Sequence, residues 1–185
     1  VEIHDMKKRM PTGLMFPDPK DIDAAVEMLL FAKRPAIVAG GGVITANASR
    51  ALCELAEKTG AVVCYTFNGK GAISDEHPLC AGGNGQTGTT AANSLLANAD
   101  VLLSVGCRFT DWSSGSYAKG STYSIPPCRL IHIDIDAHEI GKTYPTEIGI
   151  VSDAKAALEA MVSGISKQQS TDCLGKRGAY HEEIV

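Results

Sequence analysis

Arg108 stands directly after an apolar run, in A-D-V-L-L-S-V-G-C-R-F-T-D-W-S-S-G at positions 99–115. Its guanidinium is always charged and forms a planar fork that matches a phosphate or a carboxylate. The run 101–105 ends at Gly106 and reads as a buried parallel strand. The carboxyl end of such a strand is where open α/β sheets bind ligands. The position therefore fits either an anion-binding fork or an ordinary surface ion pair.

Three further groups carry possible chemistry. Gly40, Gly41 and Gly42 lie between an apolar stretch, P-A-I-V-A, and a helical pattern. Glycines there permit close backbone approach to a ligand, and a helix start favours an anion; the plainer reading is a tight turn. A dinucleotide fingerprint would place an acid at the end of the next strand, but A-V-V-C-Y ends in Tyr65 and Thr66, which disfavours an ordinary NAD site. Gly83-Asn84-Gly85-Gln86-Thr87-Gly88 matches G-x-G-x-x-G literally. No convincing strand precedes it, so the loop is expected to offer exposed N–H groups ahead of a helix without the full fingerprint context. Finally, His132, Asp134 and Asp136 alternate with Ile131, Ile133 and Ile135 along R-L-I-H-I-D-I-D. Acids at a strand's end bond ribose hydroxyls or cap a following helix, a reading preferred to a metal site because further hard-cation ligands are lacking. Asp136 is the expected cap of A-H-E-I-G-K.

The elements that must position these groups follow from pattern. Asp18-Pro19 opens a helix over 19–32, which Arg34-Pro35 stops. Strands are expected at 35–39, 61–65, 101–105, 129–136 and 147–151. Helices are expected at 46–58, 87–98 and from 153 to about 164, the last capped by Ser152. Residues 112–127 form a polar loop. Strands alternating with helices predict an α/β fold, a three-layer αβα sandwich around a mostly parallel, Rossmann-like sheet of about six strands. The domain is expected over 18–165, with 1–17 as an arm or linker and 166–185 as a linker or tail.

The bulk properties narrow the class. The chain has 185 residues, 44% hydrophobic and 21% charged, enough for one domain with a sizeable core. A net charge of -4 argues against a nucleic-acid or anionic-membrane surface. No apolar run is long enough to span a bilayer, and no signal pattern opens the chain. The six cysteines form no C-x-x-C pair, which fits reduced thiols in a cytoplasmic setting. The chain begins at Val1 and not at a methionine, as expected of a piece of a longer protein. No nucleophile motif and no P-loop spacing is present.

Taken in order, P-A-I-V-A-G-G-G, T-F-N-G-K-G-A-I, H-P-L, G-x-x-G-x-x-G-T-x-x-A-N, N-A-D-V-L-L-S-V-G-C-R-F, H-I-D-I-D-A-H-E-I-G-K and V-S-D-A-K-A-A-L resemble the central domain of thiamine-diphosphate enzymes, acetolactate synthase above all. The stretch G-Q-T-G-T-T-A-A-N is also similar to trihydroxycyclohexanedione hydrolases. The resemblance implies a DHS-like NAD/FAD-binding fold and a parent enzyme that decarboxylates a 2-keto acid and transfers the fragment. Thiamine diphosphate and magnesium would be held by flanking domains of the same subunit, which also build the homodimer or homotetramer. The central domain alone would be inactive, with no catalytic residue and no metal of its own. It would hold FAD or another adenine nucleotide. By motif, Gly40, Gly41 and Gly42 would lie near the diphosphate, Thr66 at the second strand end, and Gly85, Gln86, Thr87 and Gly88 along the flavin. Arg108 would meet the cofactor, Asp134 the ribose and Asp153 the adenosine end. The family's R-F-D-D-R is R-F-T-D-W here, and its M-H-G is Gln86-Thr87-Gly88. A stand-alone nucleotide-binding module and a structural spacer are the competing readings.

Overall fold

Asp18 opens the first helix as expected, its Oδ1 accepting from the Lys20 N–H at 2.9 Å with proline behind it. This helix, α1 (Pro19–Phe31), turns Ile22, Ala25, Val26 and Leu29 inward. A computed structural model describes residues 13–168. The outer parts of the expected arm and tail, 1–12 and 169–185, lie outside the described residues. Residues 13–17 are tied to the domain: the Met15 carbonyl accepts from Asp153 N–H and from Ser152 Oγ, both at 2.9 Å.

Strand β1 (Pro35–Ala39) is buried throughout. The single helix expected over 46–58 is two elements, α2 (Gly41–Thr45) and α3 (Ser49–Thr59). Helix geometry begins as soon as the strand ends, and Asn47 at φ +53 then breaks it. Gly60, at φ +62, closes α3 in the left-handed conformation that glycine adopts without steric cost. Strand β2 (Val62–Tyr65) follows, then a 3₁₀ turn (Phe67–Gly69).

A strand does precede the G-N-G-Q-T-G loop: β3 (Cys80–Gly83), with Gly82 beside Cys64 and Gly83 beside Tyr65. The sequence hides it because two of its four residues are glycines, poor strand formers. It survives as an edge strand, with one partner. Helix α4 (Thr90–Ala97) starts three residues later than expected, because Thr89 caps it through Oγ1, 3.1 Å from Ala92 N. Strands β4 (Val101–Val105), β5 (Arg129–Asp134) and β6 (Ile148–Val151) complete the sheet. Helix α5 (Ala154–Gln168) closes the described chain. Its cap is Asp153, whose Oδ1 accepts from Ala156 N at 3.0 Å, not Ser152, whose hydroxyl is engaged by Met15.

The expected helix after Asp136 does not form. Asp136 Oδ1 accepts from His138 N at 2.9 Å in a local turn, which satisfies the backbone without a helix. β5 also ends two residues early, so Ile135 leaves the apolar face and is 60% exposed.

All six strands are parallel, in the order β3-β2-β1-β4-β5-β6. The chain thus winds outward from β1 in one direction, then crosses back to β4 and winds outward in the other. Helices α1, α3 and α5 cover one face over an aliphatic core that includes Leu29, Leu52, Leu55, Ile133 and Leu158. Helix α4 and the two irregular connections after β4 and β5 cover the other, over Leu95, Leu96, Phe109 and Tyr123. The described cysteines are free thiols. Among the described residues no helix is long and apolar enough to cross a membrane.

Candidate functional site

Where strand order reverses, two neighbouring crossovers leave in opposite directions and a crevice opens between them at the carboxyl ends. Here the reversal falls between β1 and β4. A cleft of about 850 Å³ lies there, lined by the residues that follow five of the strands. Small-molecule sites run from roughly 300 to 1,000 Å³.

The switch point itself is made of glycine. Gly40 N–H donates to the Val105 carbonyl at 2.9 Å and Gly42 N–H to the Gly106 carbonyl at 3.2 Å. A Cβ on Gly40 would overlap the Gly106 carbonyl oxygen, and one on Gly42 would lie 2.7 Å from Gly106 Cα. Gly40 therefore serves backbone-to-backbone packing beneath the cleft, whereas Gly41 and Gly42 reach its lining.

Six of the residues singled out in the sequence line the cleft: Gly41, Gly42, Thr66, Arg108, Asp134 and Asp153. Arg108 is exposed and forms no hydrogen bond or ion pair with another described residue. The two carboxylates are each partly engaged. Asp134 Oδ1 accepts from Asp136 N at 3.0 Å and Asp153 Oδ1 caps α5, which leaves acceptor capacity on the second oxygen of each. The lining thus combines one unpaired cation with two acids, an arrangement suited to a ligand bearing both an anionic group and hydroxyls.

Gly40 and the four residues Gly85, Gln86, Thr87 and Gly88 fall outside the lining. Most of the N–H groups of the glycine-rich loop are engaged within the protein. Asn84 N–H donates to the Tyr65 carbonyl, Gln86 N–H to the Trp112 carbonyl, Gly88 N–H to the Gly85 carbonyl and Thr89 N–H to the Gly83 carbonyl, all at 2.9–3.1 Å. Gly85 N–H donates to Asn93 Oδ1 at 2.9 Å, and Asn93 Nδ2 returns a bond to the Gly85 carbonyl at 3.0 Å. An anion cradle needs such donors free, and these are used within the protein.

His132 is not a ligand-facing group. It is buried, and its Nε2 donates to the Cys107 carbonyl at 3.0 Å when the proton sits there, with Phe109 packed edge-on at 5.1 Å. Burial lowers its pKa, against smaller raising effects of that bond and of Asp134 and Glu139. Cys107, a buried residue of the lining, has its thiol pushed up to about 11 by desolvation and is no nucleophile at neutral pH. Among the described residues no group of three His, Cys, Asp or Glu side chains could hold a metal ion.

Sequence reasoning missed the apolar part of the cleft. Ile44, Phe67, Trp112 and Ile135 all line it, and all are large side chains left exposed, by 43%, 76%, 48% and 60%. The signal was present: Phe67 stands two residues past the end of β2 and Ile135 directly after the end of β5, where a turn is usually polar. Phe67 and Trp112 lie outside periodic segments, and the alternation over 129–136 assigned Ile135 to the apolar strand face, so periodicity placed none of them in the cleft.

The fold and the cleft define a doubly wound α/β domain with a cleft at its topological switch point. Residues 22–161 match the family described as thiamine pyrophosphate enzyme, central domain, and the chain belongs to that family. It is 43% identical over 144 residues to a probable acetolactate synthase large subunit of Methanococcus aeolicus, across 78% of this chain and 23% of that protein. It is 40% identical over 166 residues to a glyoxylate carboligase of Escherichia coli O157:H7, across 89% of this chain and 27% of that protein. Acetolactate synthase isozyme 3 large subunit of Escherichia coli K12 is 37% identical over 163 residues, across 88% and 28%. The chain therefore spans about a quarter of the length of these curated relatives.

Proposed function

We propose that this chain is the nucleotide-holding central domain of an acetolactate-synthase-type thiamine-diphosphate enzyme. The cleft takes FAD or another adenine nucleotide, and the domain is inactive on its own. One observation carries the reading: residues assigned by motif from five separate strand ends line a single cleft at the switch point. The donor set fits the ligand. Arg108 meets a phosphate, Asp134 and Asp153 accept from ribose hydroxyls, and the exposed apolar side chains face a planar ring. In the synthases the flavin has no redox part in the main reaction, so its role here is structural. Keto-acid chemistry belongs to flanking domains that hold thiamine diphosphate and magnesium and assemble the oligomer. The thiol of Cys107, in the cleft lining, is pushed up to about 11 by burial and is not a nucleophile at neutral pH, which agrees with a domain that binds and does not react.

Calorimetric titration of the full 185-residue chain with FAD, ADP and NAD tests the reading. Binding of FAD or ADP with little response to NAD is expected, together with no acetolactate from pyruvate when thiamine diphosphate and magnesium are supplied. Absence of heat with both FAD and ADP rejects it. A second reading makes the parent a glyoxylate carboligase, favoured by that relative's longer match, 166 residues against 144. Product analysis of the parent enzyme on pyruvate and on glyoxylate separates the two.

A further inference from the structure

We propose that Trp112 is the wall on which the ligand's planar ring stacks, and that the G-N-G-Q-T-G loop is the device that positions it. The inference rests on the nucleotide reading of the cleft. It assigns the glycine motif a different task from the phosphate contact its spacing suggests.

Three observations meet at Trp112. It lines the cleft while remaining 48% exposed, an unusual place for a large indole with a buried aromatic cluster nearby. Its backbone is fixed from outside the cleft. The Trp112 carbonyl accepts from Gln86 N–H at 2.9 Å, the next carbonyl, Ser113, accepts from Asn84 Nδ2 at 3.0 Å, and Gln86 Nε2 donates to Ser116 Oγ at 2.7 Å. Gly85 sits at φ +89 with its backbone pressed on the Trp112 carbonyl; a Cβ there would overlap that oxygen and lie 2.8 Å from Ser113 Cα. Asn93 in turn locks Gly85 from both sides. A surface aromatic whose main chain is held by successive bonds has less backbone freedom to lose on binding, which favours stacking. Arg108 lies on the same connection, four residues earlier, so one segment supplies both the ring platform and the cation.

Trp112 is the only tryptophan, so the chain's indole emission reports this residue alone. The full 185-residue chain is titrated with ADP, which offers adenine, and with FMN, which offers the flavin ring, while heat and emission are followed in parallel. Quenching by at least one of them is expected, with a midpoint equal to the calorimetric Kd, and the quencher identifies the ring. Trp112→Ala should weaken that ligand about tenfold, Trp112→Tyr should restore most of the loss, and Trp112→Leu should not. Gly85→Ala should weaken binding and shift the indole emission. If that variant does not fold, Gln86→Ala, at an exposed position, should give about a twofold loss with increased collisional quenching of the indole. Heat without any change in emission, or a Trp112→Leu variant that binds as wild type, overturns the stacking proposal and leaves the cleft reading intact. No heat with FAD, ADP or FMN overturns both.

Discussion

The two faces of the sheet are built by different means. On one face three helices lie over aliphatic side chains, and their backbone groups bond within each helix. On the other, α4 covers only part of the sheet, and the connections 106–128 and 135–147 replace helices. Irregular chain cannot satisfy its own backbone, so side chains and turns must do it. Asn84 bridges the Ser113 carbonyl and the Tyr123 hydroxyl, and Phe109, Tyr123, Tyr144 and His132 pack edge-to-face at 5.1–5.8 Å. The buried hydroxyls of Ser104, Ser114 and Thr122 find no protein partner. The helical face gives rigidity to the sheet. The irregular face carries Arg108 and Trp112 into the cleft and holds the Trp112 backbone by a few specific contacts.

The sharpest way to break this comparison is a core truncation on each side. Phe109 is 2% exposed, stands at φ +48 and centres the ring cluster; Phe109→Ala should cost about 3–5 kcal/mol in urea denaturation and also weaken the cleft ligand several-fold. Leu52→Ala on the helical face should cost about 2–5 kcal/mol and leave the ligand's Kd unchanged. Equal loss of affinity in both variants would mean that the faces are not separable.

A smaller effect is expected at the seam between them. Gly106 has φ +58, and a Cβ there would fall 2.5 Å from Gly42 Cα. Gly106→Ala should cost about 2–3 kcal/mol, combining left-handed strain with displacement of the β1 and β4 tips. Loss of ADP affinity beyond the loss of stability would place the switch-point packing upstream of the cleft's shape. An unchanged melting temperature would refute the close packing.

How much of this was legible in the sequence follows the same division. Helices α1 and α5, and strands β1, β2 and β4, have periodic or continuous apolar patterns, and their placement was read to within a few residues. The misses cluster where local chemistry competes with pattern. Asn47 splits a helix, two glycines conceal β3, and Asp136 satisfies a turn that resembles a helix start. Arg108 and Asp134 were singled out as polar groups at strand ends, and Thr66 and Asp153 through the family resemblance; all four line the cleft. Trp112 was not singled out, because a loop residue has no period and its position depends on Gln86 and Asn84, about thirty residues away in sequence.

His132 offers a test in pH. Desolvation lowers its folded pKa below the ordinary 6.5, so the unfolded chain binds more protons between the two values. Stability from the neutral imidazole is therefore complete above about 6.5 and falls as pH drops through the window below it. Urea midpoints should decline there, on top of carboxylate effects at lower pH. His132→Gln, which can still donate to the Cys107 carbonyl, should be less stable at neutral pH but show a flatter decline. An unchanged slope would mean that the imidazole is not held neutral by burial.

The smallest effect separates two duties of one residue. Asp153 caps α5 and also lines the cleft. Asparagine caps about as well as aspartate, so Asp153→Asn should change stability by only a few tenths of a kcal/mol, whereas Asp153→Ala should cost about 1 kcal/mol. Both lose the carboxylate, so any effect on affinity common to the two belongs to charge and not to the helix start. If the acid serves a ribose hydroxyl, ADP affinity should fall about equally in both variants. If its charge merely repels phosphate, affinity should rise in both. Loss in the alanine variant alone would assign Asp153 to helix capping, and the polar end of the cleft would then depend on Asp134.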